Sequence, residues 1–155
     1  MFDAIAPRYD LLNRIISFGM DRAWRRSAVS EALECRPGLV IDVGTGTGDL
    51  AFDLVNQKTG SMKVIGLDFS HAMLRIACRR ASSVDDPDVL RFVLSDALRV
   101  PLVDGAADVV VSAFVLRNLD SLPDAFSAMA AALRSGGRVV LLEMTPIRQP
   151  IFRFI

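Results

Sequence analysis

Residues 40–49 read VIDVGTGTGD, an apolar run followed by three glycines at alternate positions and then an acidic residue. This pattern is typical of a buried strand that turns tightly into a helix, because glycine leaves room for the turn and for a ligand against the backbone. In an open α/β sheet, the carboxyl end of such a strand borders the crevice in which ligands bind. The segment therefore predicts both an α/β fold and the position of its binding site.

Outward from this segment, apolar runs alternate with helical patterns. We predict strands at residues 39–43, 63–68, 91–94, 108–113 and 138–143. Helices are predicted at residues 49–57, 73–81 and 122–134. Strands that are apolar throughout are typical of a parallel sheet with helices on both faces, and right-handed crossovers make it doubly wound. Because the N-terminal third also reads as helical, we predict one domain, with a helical lid at 1–36 and an α/β core at 37–155.

The composition excludes several classes of protein. The chain has 155 residues, 52% of them hydrophobic, and its 18 Lys and Arg balance its 18 Asp and Glu. This excludes intrinsic disorder and gives no net field that would gather nucleic acid. Two cysteines and one histidine are too few for a structural zinc site or a disulfide framework. With no signal pattern and no long apolar run, we expect a soluble cytoplasmic domain that uses no metal.

The glycine loop departs from the dinucleotide fingerprint. The last glycine of GxGxxG would fall at position 49, where the chain has Asp49. Together with Asp42, this carboxylate would repel a pyrophosphate at the helix N-terminus, whereas both would suit a ligand that carries positive charge. S-adenosylmethionine carries a sulfonium and an ammonium group. The alternative is an ordinary strand–helix turn in which Asp49 only caps its helix.

Acidic residues also follow the next two strands. Asp68 ends the second strand and is placed to accept hydrogen bonds from both hydroxyls of a ribose. Asp96, which precedes Ala97, follows the third strand and could accept a hydrogen bond from an adenine amino group. The alternative for Asp68 is a cap of the helix that begins near Ser70. Taken in order along the sheet, these residues predict a site for a nucleoside with a cationic tail.

Three stretches carry a resemblance to a known family: FDAIAPRYD at 2–10, GTGD at 46–49 and FVLRN at 114–118. The chain resembles the class I S-adenosylmethionine-dependent methyltransferases and, more narrowly, the ubiquinone/menaquinone biosynthesis C-methyltransferases. The resemblance implies a Rossmann-like fold and S-adenosyl-L-methionine as cofactor. The resemblance and the glycine-loop pattern together predict eight cofactor-binding residues: Asp42, Gly44, Gly46, Thr47, Gly48, Asp68, Asp96 and Ala97.

Two positions depart from that family's pattern. Val115 stands where the family usually has glycine, and Ala113 stands where a cofactor-contacting serine is common. The neighbouring Ser112 should point to the opposite face of its strand, because successive side chains of a strand alternate between faces.

The family's chemistry is C-methylation of a polyprenylated quinol ring in menaquinone or ubiquinone biosynthesis. A cation that stabilises a phenolate would make the ring carbon more nucleophilic, and Arg117 is our candidate. The alternative is a surface arginine paired with Asp120. Tyr9 and Asp10 could reach the ring from the lid as hydrogen-bond donor and proton acceptor, although Tyr9 could equally pack in the core. The lipid substrate implies contact with the inner face of a membrane.

Other functions remain open at this stage. One alternative function is methylation of another small acceptor, because Val115 alters the acceptor side of the site. A second alternative, a nicotinamide dehydrogenase, is disfavoured by Asp49. Methyltransferases of this class continue past the fifth strand with a helix and two more strands, whereas this sequence stops soon after Glu143. We therefore expect an exposed sheet edge, a homo-oligomer, and a chain that binds the cofactor but is weakly active or inactive.

Overall fold

A computed structural model of the chain describes residues 20–58, 60–98, 100 and 103–144. They form one five-stranded sheet in which every neighbouring pair is parallel. The strands are β1 (Leu39–Val43), β2 (Lys63–Asp68), β3 (Leu90–Leu94), β4 (Ala107–Ala113) and β5 (Leu133–Leu142). Their order across the sheet is β3-β2-β1-β4-β5. This confirms the predicted α/β class with a parallel sheet.

Among the residues that the structure describes, four α-helices accompany the strands: α1 (Asp21–Leu33), α2 (Asp49–Gln57), α3 (His71–Ala81) and α4 (Leu122–Ala132). Serine side chains cap two of them, because the Ser70 hydroxyl accepts from the Met73 N–H and the Ser121 hydroxyl accepts from the Asp124 N–H. Of the predicted lid, the structure describes α1. None of the helices among these residues is long and apolar enough to span a bilayer.

Both faces of the sheet are buried. The face that carries α1 and α2 buries Val29, Ala32, Val40, Leu50, Leu54, Val64, Val109 and Val111. The opposite face, covered by α4, buries Ile41, Val43, Leu67, Ala107, Val110, Met129 and Ala132. Successive residues of β1 therefore point into different cores. Burial of a side chain such as Ile41 or Leu54 contributes about 1.5–3 kcal/mol, which explains why the strands are apolar throughout.

The start of β5 differs from the prediction. Helix α4 ends at Ala132 instead of Arg134, and β5 begins at once because Leu133 pairs with Ala107. The next pair is Val109 with Arg138, so residues 134–137 bulge out of the ladder. The glycines read as a helix terminus belong to this bulge, where Gly136 has a φ of 78°.

Strand order fixes where a ligand can bind. The chain leaves β1 for β2 and β3 on one side of the sheet and then returns to β4 on the other side. The crevice between the carboxyl ends of β1 and β4 is thus the topological switch point at which open α/β sheets bind ligands. Among the described residues, β3 and β5 lie at the two edges.

Candidate functional site

A pocket opens at this switch point, and we call it the switch-point pocket. It lies at the carboxyl ends of β1, β2 and β4, and its lining includes Asp42, Gly44, Asp68, Ala97, Phe114 and Val115. The predicted glycine loop and the acidic residue after β2 therefore meet in one cavity.

Of the glycine loop, the stretch from Gly44 to Thr47 lines the switch-point pocket. Gly44 has a φ of 72°, and a Cβ added there would lie 2.3 Å from Val115 Cγ2. Gly46 has a φ of 57°, and a Cβ there would meet nothing within 4 Å, so this part of the loop faces open space. Gly48 packs against Phe52, whose ring a Cβ would approach to 2.8 Å. Glycine is required at Gly44 by both conformation and space, and at Gly46 by conformation alone.

Asp42 lies buried beneath the loop. Its Oδ2 accepts a hydrogen bond of 2.7 Å from the Thr45 hydroxyl. Burial raises the pKa of Asp42 to about 7, and the nearby charges of Asp68 and Asp49 add to the rise, against the hydrogen bonds from Thr45 and the Ala51 N–H. A bound cation would favour the ionised form, so this carboxyl is suited to a positively charged ligand.

Asp68 connects the loop to the start of α3. Its Oδ2 accepts from the Gly46 N–H and its Oδ1 from the Ser70 N–H, both at 2.8 Å. The cap of α3 is Ser70, so the predicted alternative of a capping Asp68 is wrong. Asp68 lines the switch-point pocket, as its proposed role requires.

The two predicted residues in the turn after β3, Asp96 and Ala97, lie in different environments. Ala97 lines the switch-point pocket together with Ser95. Asp96 is exposed, and its Oδ1 accepts from the Leu98 N–H at 2.9 Å. The structure thus places Ala97 in the pocket wall and Asp96 on the exposed part of the same turn, where its carboxylate closes a tight turn.

The carboxylate of Asp49 is paired with two arginines. From the sequence we expected it to repel a pyrophosphate and to suit a cationic ligand, and that argument is wrong because its charge is compensated. Its carboxylate lies 2.8 Å from Arg80 Nη1 and 3.4 Å from Arg25 Nη2. Arg80 Nη1 also donates to the Thr47 carbonyl at 2.8 Å. Both arginines come from helices distant in sequence, so the local pattern around Asp49 did not reveal them. Thr47, one of the predicted cofactor-binding residues, lines the pocket.

Arg25 is a pocket residue that sequence reasoning missed. It projects from α1 into the lining of the switch-point pocket and pairs with Asp21 at 2.8 Å and Asp53 at 3.1 Å. Burial alone would lower the pKa of Arg25, but Asp49, Asp53 and Asp21 raise it. The one signal in the sequence was the Asp21–Arg25 spacing of four residues within a helix.

The β4 side of the pocket is mainly apolar. Ala113 ends β4, Phe114 and Val115 follow it, and all three line the pocket. Phe114 has a φ of 61°, and its ring lies 6.5 Å from that of Trp24 in α1. Ser112 is buried, and its hydroxyl donates to the Val43 carbonyl of the neighbouring strand at 2.8 Å, so this hydroxyl is already bound within the sheet.

Arg117 lies in a single 3₁₀ turn (Leu116–Asn118) after β4. Its Nη1 is 3.5 Å from Glu143 Oε1, and its guanidinium lies 5.8 Å from the centre of the Phe114 ring. The predicted alternative partner Asp120 is wrong, because strand order brings the end of β5 beside Arg117. The other two candidates for catalysis, Tyr9 and Asp10, lie outside the described residues.

Solved structures share this architecture. A protein from Methanococcus maripaludis, described as an S-adenosyl-L-methionine-dependent methyltransferase, matches with a TM-score of 0.76 and 25% identity, over 90% of this chain and 62% of that one. Geranyl diphosphate C-methyltransferase from Streptomyces coelicolor matches in fold with a TM-score of 0.71 and 23% identity, over 78% of this chain and 45% of that one. Sheet order, glycine loop and pocket together define a class I S-adenosylmethionine-dependent methyltransferase domain.

Sequence comparison assigns the chain to one family within this class. The family model for the ubiE/COQ5 methyltransferase family matches residues 1–155, and the chain belongs to that family. Demethylmenaquinone methyltransferase from Thermus thermophilus is 47% identical over 94% of this chain and 65% of that protein. Its counterpart from Deinococcus radiodurans is 43% identical over 98% of this chain and 62% of that protein. The chain thus spans a little under two thirds of the length of these relatives.

Proposed function

We propose that the switch-point pocket binds S-adenosyl-L-methionine. The observation that carries the proposal is that Asp68 and the glycine loop line the same cavity at the switch point. Asp68 accepts the Gly46 and Ser70 N–H groups and lines the pocket at the end of β2, and a carboxylate at this position is the acceptor that pairs with ribose hydroxyls. Phe69, which is 65% exposed, lines the pocket beside it and offers an apolar face for the adenine ring.

The amino-acid end of the cofactor carries both signs of charge, and the pocket offers both. Asp42 supplies a carboxyl for the ammonium and sulfonium groups, while Arg25 supplies a guanidinium for the carboxylate. Because Arg25 comes from α1, binding would join the N-terminal helix to the glycine loop. Gly46, which faces open space, lets the ligand approach the backbone.

The reaction that we propose is C-methylation of a reduced polyprenyl quinol. The relatives' names support it, since they read demethylmenaquinone methyltransferase and ubiquinone/menaquinone biosynthesis C-methyltransferase. The apolar residues Ala113, Phe114 and Val115 offer a dry face for an aromatic ring. Loss of a phenolic proton makes the ring carbon a nucleophile, and its attack on the sulfonium methyl group neutralises opposite charges. Arg117 stabilises the phenolate, and Tyr9 and Asp10 remain candidates for further contacts with the ring.

A different acceptor is the second candidate function. The Val115 side chain lies directly against Gly44, so it fills space between the glycine loop and the acceptor face. A smaller or differently shaped acceptor would fit a site narrowed in this way. The alternative is tested by offering the protein a set of phenolic and non-phenolic acceptors with the same methyl donor.

Calorimetry and a methyl-transfer assay test the proposal together. The full chain is titrated with S-adenosylhomocysteine and, separately, with NAD; we expect heat from the first ligand alone. It is then incubated with methyl-labelled S-adenosylmethionine and a reduced demethylnaphthoquinol. Binding of NAD without S-adenosylhomocysteine would refute the cofactor. Binding of S-adenosylhomocysteine without methylated quinol would indicate another acceptor or a form that binds the cofactor without turnover.

Contact with a membrane and self-association belong to the same proposal. A polyprenyl tail would bring the protein to a bilayer surface, and flotation with vesicles that contain a polyprenyl quinol measures this. Val139 and Leu141 are 38% and 40% exposed on β5, an edge strand among the described residues, which favours association between copies. Light scattering should therefore give a mass above that of the monomer.

A further inference from the structure

Glu143 carries an oxygen whose hydrogen-bonding capacity is unused. The residue directly follows β5, whose last residue Leu142 pairs with Ala113 in the wall of the switch-point pocket. Glu143 Oε2 is buried and has no hydrogen-bond partner within the part of the chain that the structure describes. The other oxygen, Oε1, accepts from the Met144 N–H at 3.1 Å and lies 3.5 Å from Arg117 Nη1.

This arrangement is costly for the protein alone. A buried acceptor without a partner costs about 1–3 kcal/mol, and more when it is charged. Arg117 does not relieve that cost, because 3.5 Å is an ion-pair distance and its atom approaches Oε1 instead of Oε2. A guanidinium has five N–H donors, so Arg117 also keeps capacity for another acceptor. One group can satisfy both residues: a hydroxyl that donates to Oε2 and accepts from the guanidinium.

A phenol is such a group, and the setting suits one. Arg117 lies over the Phe114 ring, and Phe114 lines the switch-point pocket. The chain has a single histidine, His71, which is exposed at the start of α3, away from β4 and β5. Glu143 is therefore the carboxylate that the fold brings to Arg117 at the acceptor side, as judged from the described residues.

We propose that Glu143 accepts the proton of the acceptor's ring hydroxyl; this rests on the proposed function. The O–H bond breaks, the proton goes to Oε2, and the negative charge moves to the phenolate oxygen beside Arg117. The electron pair of the ring carbon forms the new C–CH₃ bond while the S–CH₃ pair remains on sulfur. The methylated ring carbon then loses its proton to water, and the ring oxygen takes back the proton from Glu143. The net products are the methylated quinol, S-adenosylhomocysteine and one proton.

The test compares Glu143→Gln, which keeps the shape but removes the base, with Asp120→Asn as the matched control at a nearby exposed carboxylate. In the full chain, we expect Glu143→Gln to lower kcat by about 100-fold or more. S-adenosylhomocysteine affinity should stay within about twofold by calorimetry, and Asp120→Asn should behave as the wild type. In Glu143→Ala, added formate should restore part of kcat. A Glu143→Gln variant that keeps a third or more of wild-type kcat would overturn the proposal.

A second measurement separates this proposal from the proposed function. If the wild type binds S-adenosylhomocysteine but methylates no quinol, the proposed reaction fails. The role of Glu143 is then measured by calorimetry of 1,4-naphthohydroquinone added to the S-adenosylhomocysteine complex. Affinity at least tenfold weaker in Glu143→Gln than in the wild type would support Glu143 as the partner of a ring hydroxyl. Equal affinity would refute it.

Discussion

The close contact between Gly44 and Val115 predicts that Val115→Ala restores part of the stability that Gly44→Ala removes. In Gly44→Ala the new Cβ would lie 2.3 Å from Val115 Cγ2, and the residue would keep a φ of 72°. Left-handed backbone costs a non-glycine residue about 1–2 kcal/mol. Overpacking costs about 1–3 kcal/mol more. We therefore expect Gly44→Ala to lower the free energy of unfolding by about 2–5 kcal/mol, the sum of these two costs.

Gly46→Ala is the matched control, because its φ of 57° brings the same backbone cost while its Cβ meets nothing within 4 Å. It should cost about 1–2 kcal/mol in unfolding free energy. Adding Val115→Ala should recover about 1–3 kcal/mol in the Gly44→Ala background and nothing in the Gly46→Ala background. Urea unfolding of the single and double variants measures this coupling. Equal costs for the two glycines, or no coupling to Val115, would refute the reasoning.

The strands were predictable because their signal is local. The core strands β1, β2 and β4 are apolar and rich in β-branched residues, and the structure confirms each of them within about one residue. The start of β5 was not predictable in the same way. Leu133 joins the sheet through its pairing with Ala107, and the glycines that follow fit a helix terminus and a strand bulge equally well.

The site shows the same division between local and distant information. The glycine loop and Asp68 could be located from sequence, because strand ends in a parallel sheet meet at one edge. The ion pairs of the site could not be predicted from the sequence. Asp49 pairs with Arg25 and Arg80 from two other helices, and Arg117 pairs with Glu143, which directly follows β5. These pairs exist only once the helices and strands have packed, so the sequence did not reveal the arginines beside Asp49 or the carboxylate beside Arg117.

Three further predictions concern binding, turnover and pH. Asp68→Ala should weaken S-adenosylhomocysteine binding by about 1–3 kcal/mol through loss of charge-assisted hydrogen bonds, as calorimetry can measure; unchanged affinity would exclude a ribose contact. Arg117→Ala should lower kcat while S-adenosylhomocysteine affinity stays nearly constant, and an unaltered kcat would leave Arg117 a partner of Glu143 alone. The buried carboxyl of Asp42 should make stability depend on pH, because its pKa is raised from 3.8 to about 7. Between these values the folded chain retains the Asp42 proton that the unfolded chain has released, so the free energy of unfolding of the ligand-free protein should fall as pH rises from about 4 to about 7. Asp42→Asn cannot titrate and should lose this part of the slope, and urea unfolding of both proteins across that range measures the difference. If the unfolding free energies of the wild type and Asp42→Asn change in parallel with pH, Asp42 is ionised throughout the range. A raised pKa of Asp42 would then no longer support a cation site at this carboxyl.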